Sequence, residues 1–120
     1  MSDRTRFITY HGKQILVVDL SNCSAAEVEK IIRKLPELVT TRARDSVLVL
    51  TVFTRASFDE EAIRVMKETA VFDKPYVKKS AWVGSESLPA DFSKTMKGFS
   101  RREFPSFGTR EEALEWLASD

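Results

Sequence analysis

The stretch Val47-Leu48-Val49-Leu50-Thr51-Val52-Phe53 is a continuous run of apolar and β-branched side chains. Polar residues border it on both sides, with Asp45-Ser46 before it and Thr54-Arg55 after it. A short apolar run without polar alternation is typical of a strand buried on both faces. We therefore predict that residues 47–53 form a central strand of the fold.

Helical patterns lie on both sides of this strand. Ser24–Glu27 and Ser57–Glu60 each have the spacing of a capping box, in which a hydroxyl and a carboxylate satisfy the first free N–H groups of a helix. Pro36 is expected to end or kink the first helix, because proline cannot donate a backbone hydrogen bond. The apolar stripes at helical spacing are Val28, Ile31, Ile32, Leu35 and Val39 in the first helix, and Ala62, Val65, Met66, Thr69 and Ala70 in the second.

The chain opens with a predicted β-hairpin, in which Phe7–Tyr10 and Ile15–Val18 flank the polar turn His11–Gln14. The first of these strands alternates and is expected at the edge of the sheet, and the second is expected to be more central. After residue 75 the elements are shorter. We predict a strand at Ser80–Val83, a helix capped by Ser87 with Phe92, Met96 and Phe99 on its buried face, a short edge strand at Arg102–Phe104, and a last helix behind the capping box Thr109–Glu112.

The resulting order is β-β-α-β-α-β-α-β-α, which indicates an α/β fold with parallel strands joined by right-handed crossovers. The 120 residues contain no linker-like or repetitive segment, so we expect a single domain over residues 1–120. Lys and Arg total 19 against 18 Asp and Glu, and this balance gives no long-range attraction to nucleic acid. The single cysteine, Cys23, and a polar N-terminus without a membrane-spanning apolar run favour a cytoplasmic protein.

Two stretches resemble the bacterial SpoIIAA-like proteins of the STAS/SEC14 domain group: residues 74–84 (Lys-Pro-Tyr-Val-Lys-Lys-Ser-Ala-Trp-Val-Gly) and residues 107–117 (Phe-Gly-Thr-Arg-Glu-Glu-Ala-Leu-Glu-Trp-Leu). The resemblance implies a β-α superhelix with a mixed sheet of about five strands in nearly sequential order. About four helices would cover one face of that sheet. It also implies a regulatory or protein-binding role.

In phosphoregulated STAS proteins, a serine lies in an Asp-Ser-Ser-Gly-like loop after the third strand. Thr54-Arg55-Ala56-Ser57-Phe58 occupies that place here, without the Asp and Gly of the motif. Ser57 and Thr54 are therefore the candidate phosphorylation or anion site. A hydroxyl at a helix N-terminus can carry a phosphate that the free N–H groups accept, but a plain helix cap explains the same spacing.

Loops that follow parallel strands gather at one edge of a sheet, where many α/β folds bind ligands. A nucleotide or a lipid headgroup is the alternative partner for this edge, although caps and turns use the same residue types. The candidate ligand-loop residues are Asp19, Asn22, Ser24, Arg55, Ser85 and Glu86, together with Thr54.

The remaining candidates are weaker. Cys23 precedes a helix, where a thiolate is favoured, but the single histidine, His11, is not placed beside it by the sequence. The residues therefore predict no catalytic group, no metal site and no cofactor. A basic stretch with two aromatics can contact nucleic acid or acidic lipid, though a solvated surface is the simpler interpretation. It comprises Lys94, Lys97, Arg101 and Arg102, with Phe99 and Phe104 between them, and Arg42 and Arg44 as additions.

If all helices cover one face of the sheet, the other face is an apolar surface that another element has to cover. The final helix or a second subunit can do so, and we favour a homodimer. The leading functional hypothesis is a non-enzymatic STAS-like domain that binds a protein partner. A small-ligand binder at the loop edge and an uncharacterised enzyme are the alternatives.

Overall fold

The computed structural model describes residues 4–89 and 91–119, with Ser87 through its backbone. Its five strands form one mixed sheet in the order β1-β2-β3-β4-β5, in which β1 and β2 are antiparallel and the remaining neighbours are parallel. The strands are β1 Thr5–Tyr10, β2 Lys13–Asp19, β3 Val47–Val52, β4 Val77–Val83 and β5 Ser106–Phe107. The sequence prediction of an edge strand, a neighbouring central strand and a buried β3 is confirmed, because every residue of β3 is buried.

Within these described residues, four helices of nine or more residues and one short helix accompany the strands, and the last helix follows the final strand. They are α1 Ala25–Arg33, α2 Leu35–Val39, α3 Glu60–Asp73, α4 Phe92–Ser100 and α5 Arg110–Ala118, and a 3-10 turn spans Ser85–Ser87. The capping boxes of Ser24 and Thr109 are present with both reciprocal hydrogen bonds. Pro36 interrupts helix geometry as expected, because α1 ends at Arg33 and α2 restarts with the proline in its first turn.

Helices α1 to α4 pack on one face of the sheet. Their buried stripes meet side chains of β2 and β3 that point to this face, such as Leu16 and Val49, together with Phe53, which follows β3, and Trp82 of β4. Aromatic rings fill the region below α4, where the Phe53 ring lies 4.9 Å from Trp82. This layer places the loops after β2, β3 and β4 side by side.

Helix α5 packs on the opposite face, so the expectation that all helices share one face is wrong. Ala113 and Leu117 of α5 are buried against alternate residues of the central strands, including Leu48 and Leu50. Lys79 of β4 reinforces the contact, because its Nζ donates to the carbonyls of Trp116 and Ser119 at 3.0 and 2.8 Å. The homodimer prediction rested on this face being open, and the structure realises the other alternative, a final helix folded over it.

Four local predictions are wrong. The N-cap of α3 is Asp59 and not Ser57, because the Asp59 carboxylate accepts the Ala62 N–H at 2.8 Å. Helix α4 starts at Phe92, so Ser87 lies in the preceding 3-10 turn and does not cap it. Phe99 is 54% exposed and not part of the buried face. The last strand is Ser106–Phe107, since Arg102 and Phe104 direct their side chains to the helix layer and residues 102–104 form no strand pairing.

Candidate functional site

The loops after β2, β3 and β4 meet at the carboxyl edge of the sheet, as the sequence predicted. Backbone hydrogen bonds join the first two loops, because Asn22 N–H donates to Thr54 O at 2.9 Å and Ser57 N–H donates to Cys23 O at 2.9 Å. Phe53 N–H donates to Val83 O at 2.8 Å and links the third. We call the surface formed by Asn22, Thr54, Arg55 and Ser57 the loop edge. Its backbone is fixed by the same hydrogen bonds that extend the sheet.

Two non-glycine residues of the loop edge have left-handed backbone conformations and contact each other. Asn22 has a φ of 59° and Arg55 a φ of 55°. The Arg55 Nε donates to the Asn22 Oδ1 at 2.8 Å, and both residues are exposed. Asparagine tolerates this conformation better than most residues, whereas an arginine is uncommon there. The loop edge therefore presents a charged side chain from a strained backbone position.

Gly84 allows the loop after β4 to approach the loop after β3 closely. Gly84 ends β4 with a φ of 76°, and a Cβ at this position would lie 2.6 Å from Thr54 N and 2.9 Å from Thr54 Cα. Only glycine allows this backbone approach. Thr54 is thereby held on both sides, by Asn22 and by Gly84, and its side chain is half-buried. Of the two candidate phosphorylation residues, Ser57 is the exposed one.

The surroundings of Ser57 differ from those of a phosphate cradle at a helix N-terminus. Its own N–H is bonded to Cys23 O, and the N-terminal N–H of Ala62 is already bonded to the Asp59 carboxylate. A phosphate on Ser57 would follow β3 just before α3, close in sequence to the N-cap Asp59 and to Glu60 and Glu61 of the first turn, whose negative charges oppose it. Phosphorylation at Ser57 stays a prediction, and the N–H groups of Ser57 and Ala62 are not free to bind the phosphate.

The other candidate ligand residues mostly have structural partners. Asp19 accepts hydrogen bonds from Ser21, and Arg110 and Arg4 lie 3.4 and 3.9 Å from its carboxylate. Burial raises the pKa of Asp19, but the Ser21 hydrogen bonds and the two arginine charges outweigh it and lower the pKa below its ordinary value. Ser24 caps α1.

The loop after β4 contributes the last two candidates. Ser85 Oγ lies 2.9 Å from Ser106 Oγ, so it joins the loop to β5. Glu86 is exposed and lies with Ser85 in a shallow depression bordered by Leu88, Pro89 and Ser93. The structure thus brings the candidates to one edge, where Asn22, Arg55, Ser57 and Glu86 are exposed, as is Ser24, which caps α1.

The cysteine and the basic stretch have structural roles. Cys23 is 2% exposed, and burial raises the pKa of its thiol, which disfavours a nucleophilic thiolate. The basic stretch does not form one surface, because Lys97 pairs with Glu103 at 3.2 Å while Arg102 turns into the core. Within residues 4–89 and 91–119 no three His, Cys, Asp or Glu side chains are grouped as metal ligands would be, and no helix there is long and apolar enough to cross a membrane.

A buried aspartate, with a partly buried arginine whose charge acts on it, lies between the sheet and the helix layer, and the sequence analysis did not identify either. Asp73, at the end of α3, is 4% exposed, and its Oδ1 has no hydrogen-bond partner. Burial raises the pKa of Asp73 to about 6, although the charge of Arg102 acts in the opposite direction. Burial likewise lowers the pKa of Arg102 to about 10. The signal in the sequence was the position of Asp73, three residues beyond Ala70 on the apolar stripe of α3.

Comparisons with known proteins identify the fold. No family model matches the chain, and no curated protein sequence does. Among solved structures it is similar to an uncharacterised protein of the DUF3478 family with a SpoIIAA-like fold, from Shewanella loihica PV-4. The two share 15% sequence identity over 95% of this chain and 92% of that one, with a TM-score of 0.69. At this identity the similarity establishes the fold, and it confirms the predicted SpoIIAA-like architecture.

Proposed function

We propose that this SpoIIAA-like domain is a non-enzymatic regulatory module that binds a protein partner through its loop edge. We expect the domain to bind this partner in the cytoplasm, and the single unpaired Cys23 supports that location. The resemblance of residues 74–84 and 107–117 to STAS-type regulators supports the same role. A homodimer stays a prediction, although α5 covers the sheet face whose expected exposure suggested it.

The observation that carries this proposal is the pairing of Asn22 with Arg55. A left-handed conformation costs an ordinary L-residue about 1–2 kcal/mol. The hydrogen bond between the two side chains offsets part of this cost, and its exposure to water limits what it contributes. Glycine would adopt the Arg55 conformation without strain. Strain of this kind is concentrated at functional sites. Arg101 adopts the same conformation where a helix ends, a place at which left-handed residues are common, whereas Arg55 adopts it in a loop at the carboxyl edge of the sheet, so we infer that the Arg55 guanidinium serves binding and not folding.

Other features of the loop edge fit a protein partner better than a small anion. The loops are held by backbone hydrogen bonds, so a partner would meet a preformed surface. Ser57 is exposed beside Arg55, and a phosphate there would change the charge of the contact surface. The candidate anion ligands Ser24 and Ser85 already have hydrogen bonds within the fold. A nucleotide or lipid headgroup at this edge is therefore the second candidate.

Substitution of Arg55 by Gly tests the proposal, with Arg101→Gly as a matched control. Both arginines are exposed and left-handed, with φ values of 55° and 58°, but Arg101 ends α4 and lies outside the loop edge. Tagged wild-type and variant chains would be expressed in the source cell, and co-purified proteins quantified by mass spectrometry. We expect a discrete protein that wild type and Arg101→Gly retain and Arg55→Gly loses.

Thermal unfolding completes the test. Both glycine variants are expected to stay within about 1 kcal/mol of wild type, because the relief of strain is opposed by the greater freedom of glycine in the unfolded chain and, at residue 55, by loss of the hydrogen bond to Asn22. Equal retention of the same proteins by all three chains would contradict a binding role for the loop edge. A micromolar nucleotide or lipid that stabilises wild type but not Arg55→Gly would favour the second candidate instead.

A further inference from the structure

A cleft lies where the parallel strands begin, at the opposite end of β3 from the loop edge. Its volume is about 290 Å³. Sites for small molecules usually enclose about 300–1,000 Å³, so this cleft suits a ligand at the lower end of that range. We call it the amino-edge cleft, and its charged walls and apolar floor are formed by Lys13, Arg42, Lys78 and Lys79 with Leu48 and Leu117.

The amino-edge cleft collects positive charge. Two β2, β3 or β4 neighbours and the loop before β3 contribute the four cations, and no Asp or Glu belongs to the described residues that line the cleft. The whole chain has a net charge of only +1, so this concentration is a local feature. A depression lined by charges of one sign attracts ions of the opposite sign. The expected ligand is therefore an anion.

The register of the sheet places Lys13 and Lys79 on the face that α5 covers. Lys79 pairs with Leu48, which pairs on its other side with Ile15, two residues after Lys13. Strands lie about 4.8 Å apart and rise about 3.3 Å per residue, so the Cα atoms of Lys13 and Lys79 are about 12 Å apart. The two lysines therefore lie on either side of the apolar floor at Leu48.

Arg42 is oriented by contacts that leave it able to bind a ligand. Its Nη1 donates to Gln14 Oε1 at 2.7 Å, and its guanidinium carbon lies 3.9 Å from the centre of the Phe7 ring. The side chain is nevertheless exposed, and within the described part of the chain its Nε and Nη2 donate to no acceptor. A guanidinium that is already oriented can bind two oxygens of one anion at a lower entropic cost.

The two lysines of β4 offer different contacts. Lys79 donates to the carbonyls of Trp116 and Ser119 at 3.0 and 2.8 Å, which fixes its charge in the wall, and both acceptors are uncharged. Lys78 is exposed, and no acidic side chain in residues 4–89 and 91–119 pairs with it. The cleft thus combines a fixed positive charge with a flexible one.

We propose that the amino-edge cleft binds a small molecule through a phosphate monoester group. A phosphate monoester carries a charge of about −1.5 to −2 at neutral pH and has three acceptor oxygens, whereas a carboxylate carries one charge. Arg42 and Lys78 donate to the phosphate, Lys13 and Lys79 add positive charge, and the rest of the molecule contacts the apolar floor. This site is independent of the protein-binding function proposed for the loop edge.

The test compares probes with the same carbon skeleton and different charge. Glycerol 3-phosphate, glycerate and glycerol are titrated into the full chain at neutral pH and followed by protein-observed NMR. We expect saturable shifts for glycerol 3-phosphate at the amides of Leu48, Lys79 and Ser119. Glycerate should bind about fivefold more weakly or less, because it lacks one negative charge, and glycerol should cause no saturable shift.

Substitution of Arg42 by Gln tests the assignment to the cleft. Arg42→Gln should weaken binding of glycerol 3-phosphate by about tenfold, because charge-assisted hydrogen bonds are lost. Arg55→Gln is the matched control, since Arg55 is also exposed, donates to a side-chain amide oxygen, that of Asn22 at 2.8 Å, and lies beyond the other end of β3. It removes the same charge and should bind the probe like wild type.

A second pair of variants covers the case in which Arg42→Gln does not fold. Lys78→Gln changes an exposed side chain and should weaken binding of glycerol 3-phosphate by about threefold or more. Lys94→Gln removes the same charge from α4, outside the cleft, and should leave binding unchanged. Thermal unfolding of each variant shows whether its fold is retained.

Several outcomes would overturn the proposal. One is the absence of saturable shifts with glycerol 3-phosphate, and another is glycerate binding as tightly as the phosphate. Equal weakening by Arg42→Gln and Arg55→Gln, or by Lys78→Gln and Lys94→Gln, would show attraction by overall charge and no defined site. Binding to vesicles of phosphatidylcholine and phosphatidic acid without saturable binding of glycerol 3-phosphate would define a membrane-binding surface instead.

Discussion

Replacing Asp73 by Asn removes a buried carboxylate while preserving the shape of the side chain. In the folded protein the pKa of Asp73 is raised from 3.8 to about 6, chiefly by burial. The folded state therefore binds this proton more tightly than the unfolded state. Consequently the contribution of Asp73 to stability is greatest at low pH and is lost as the pH rises from about 4 to about 6.

The magnitude follows from the two pKa values. A difference of about two pKa units corresponds to about 3 kcal/mol over the whole titration. Between about pH 4.5 and about pH 7.5 the loss is about 2 kcal/mol, because part of the titration of the unfolded chain is complete at the lower pH. The asparagine side chain does not titrate, so the free energy of unfolding of Asp73→Asn minus that of wild type should rise by about 2 kcal/mol over this interval.

Urea denaturation at about pH 4.5 and about pH 7.5 measures this difference for both proteins. Subtracting wild type from variant removes the effect of other carboxylates, whose lowered pKa values give the opposite dependence on pH. These are Asp19, Glu27, Glu61 and Glu115. A difference that is the same at both pH values, or that falls at the higher one, would show that Asp73 is not held in an unfavourable charged state.

Three further predictions concern packing and the loop edge. Gly84→Ala should lower the free energy of unfolding by at least about 2 kcal/mol in denaturant, because the new Cβ would clash with the Thr54 backbone and alanine would also be strained in the left-handed conformation. Gly12→Ala, with a φ of 79° but open space around the new Cβ, should lower it by only about 1 kcal/mol. Equal losses in the two variants would contradict the close contact between Gly84 and Thr54. Leu117→Ala should lower the free energy of unfolding by about 2–4 kcal/mol and increase self-association in sedimentation experiments, because α5 covers an apolar sheet face. A monomeric variant of unchanged stability would contradict that packing. Ser57→Asp should leave the melting temperature within a few degrees of wild type and reduce the amount of partner protein that co-purifies with the chain. An unchanged amount would contradict the proposed effect of a negative charge at this position.

Much of the fold was predictable because its signals are local. The unbroken apolar character of Val47–Val52 identified the buried β3, and the spacing of Ser24 with Glu27 and of Thr109 with Glu112 identified two helix starts. Ser57 failed as a cap because Asp59, two residues later, is an equally good capping residue. The backbone of Ser57 is instead bonded to Cys23, a tertiary contact that its own segment does not encode.

The features that sequence reasoning missed depend on long-range placement. Both faces of β3 are apolar, so the pattern required a cover on each face but did not specify that α5 supplies the second. Asp73 continues the spacing of the α3 stripe, but the sequence analysis drew no buried charge from it, and it places Arg102 in a solvated basic stretch. For the loop edge, the residues were predicted but the left-handed conformation of Arg55 was not, because nothing in Thr54-Arg55-Ala56 requires it.

Photo-cross-linking from the loop edge tests the proposed protein-binding function most directly. A benzoylphenylalanine would replace Ser57 in one chain and Ser46 in a control chain. Both serines are exposed, and they lie at opposite ends of β3. After irradiation in the source cell, the account predicts a discrete cross-linked protein from position 57 that is absent from position 46 and is lost when Arg55→Gly is added. The same cross-links from both positions, or none from position 57, would contradict it.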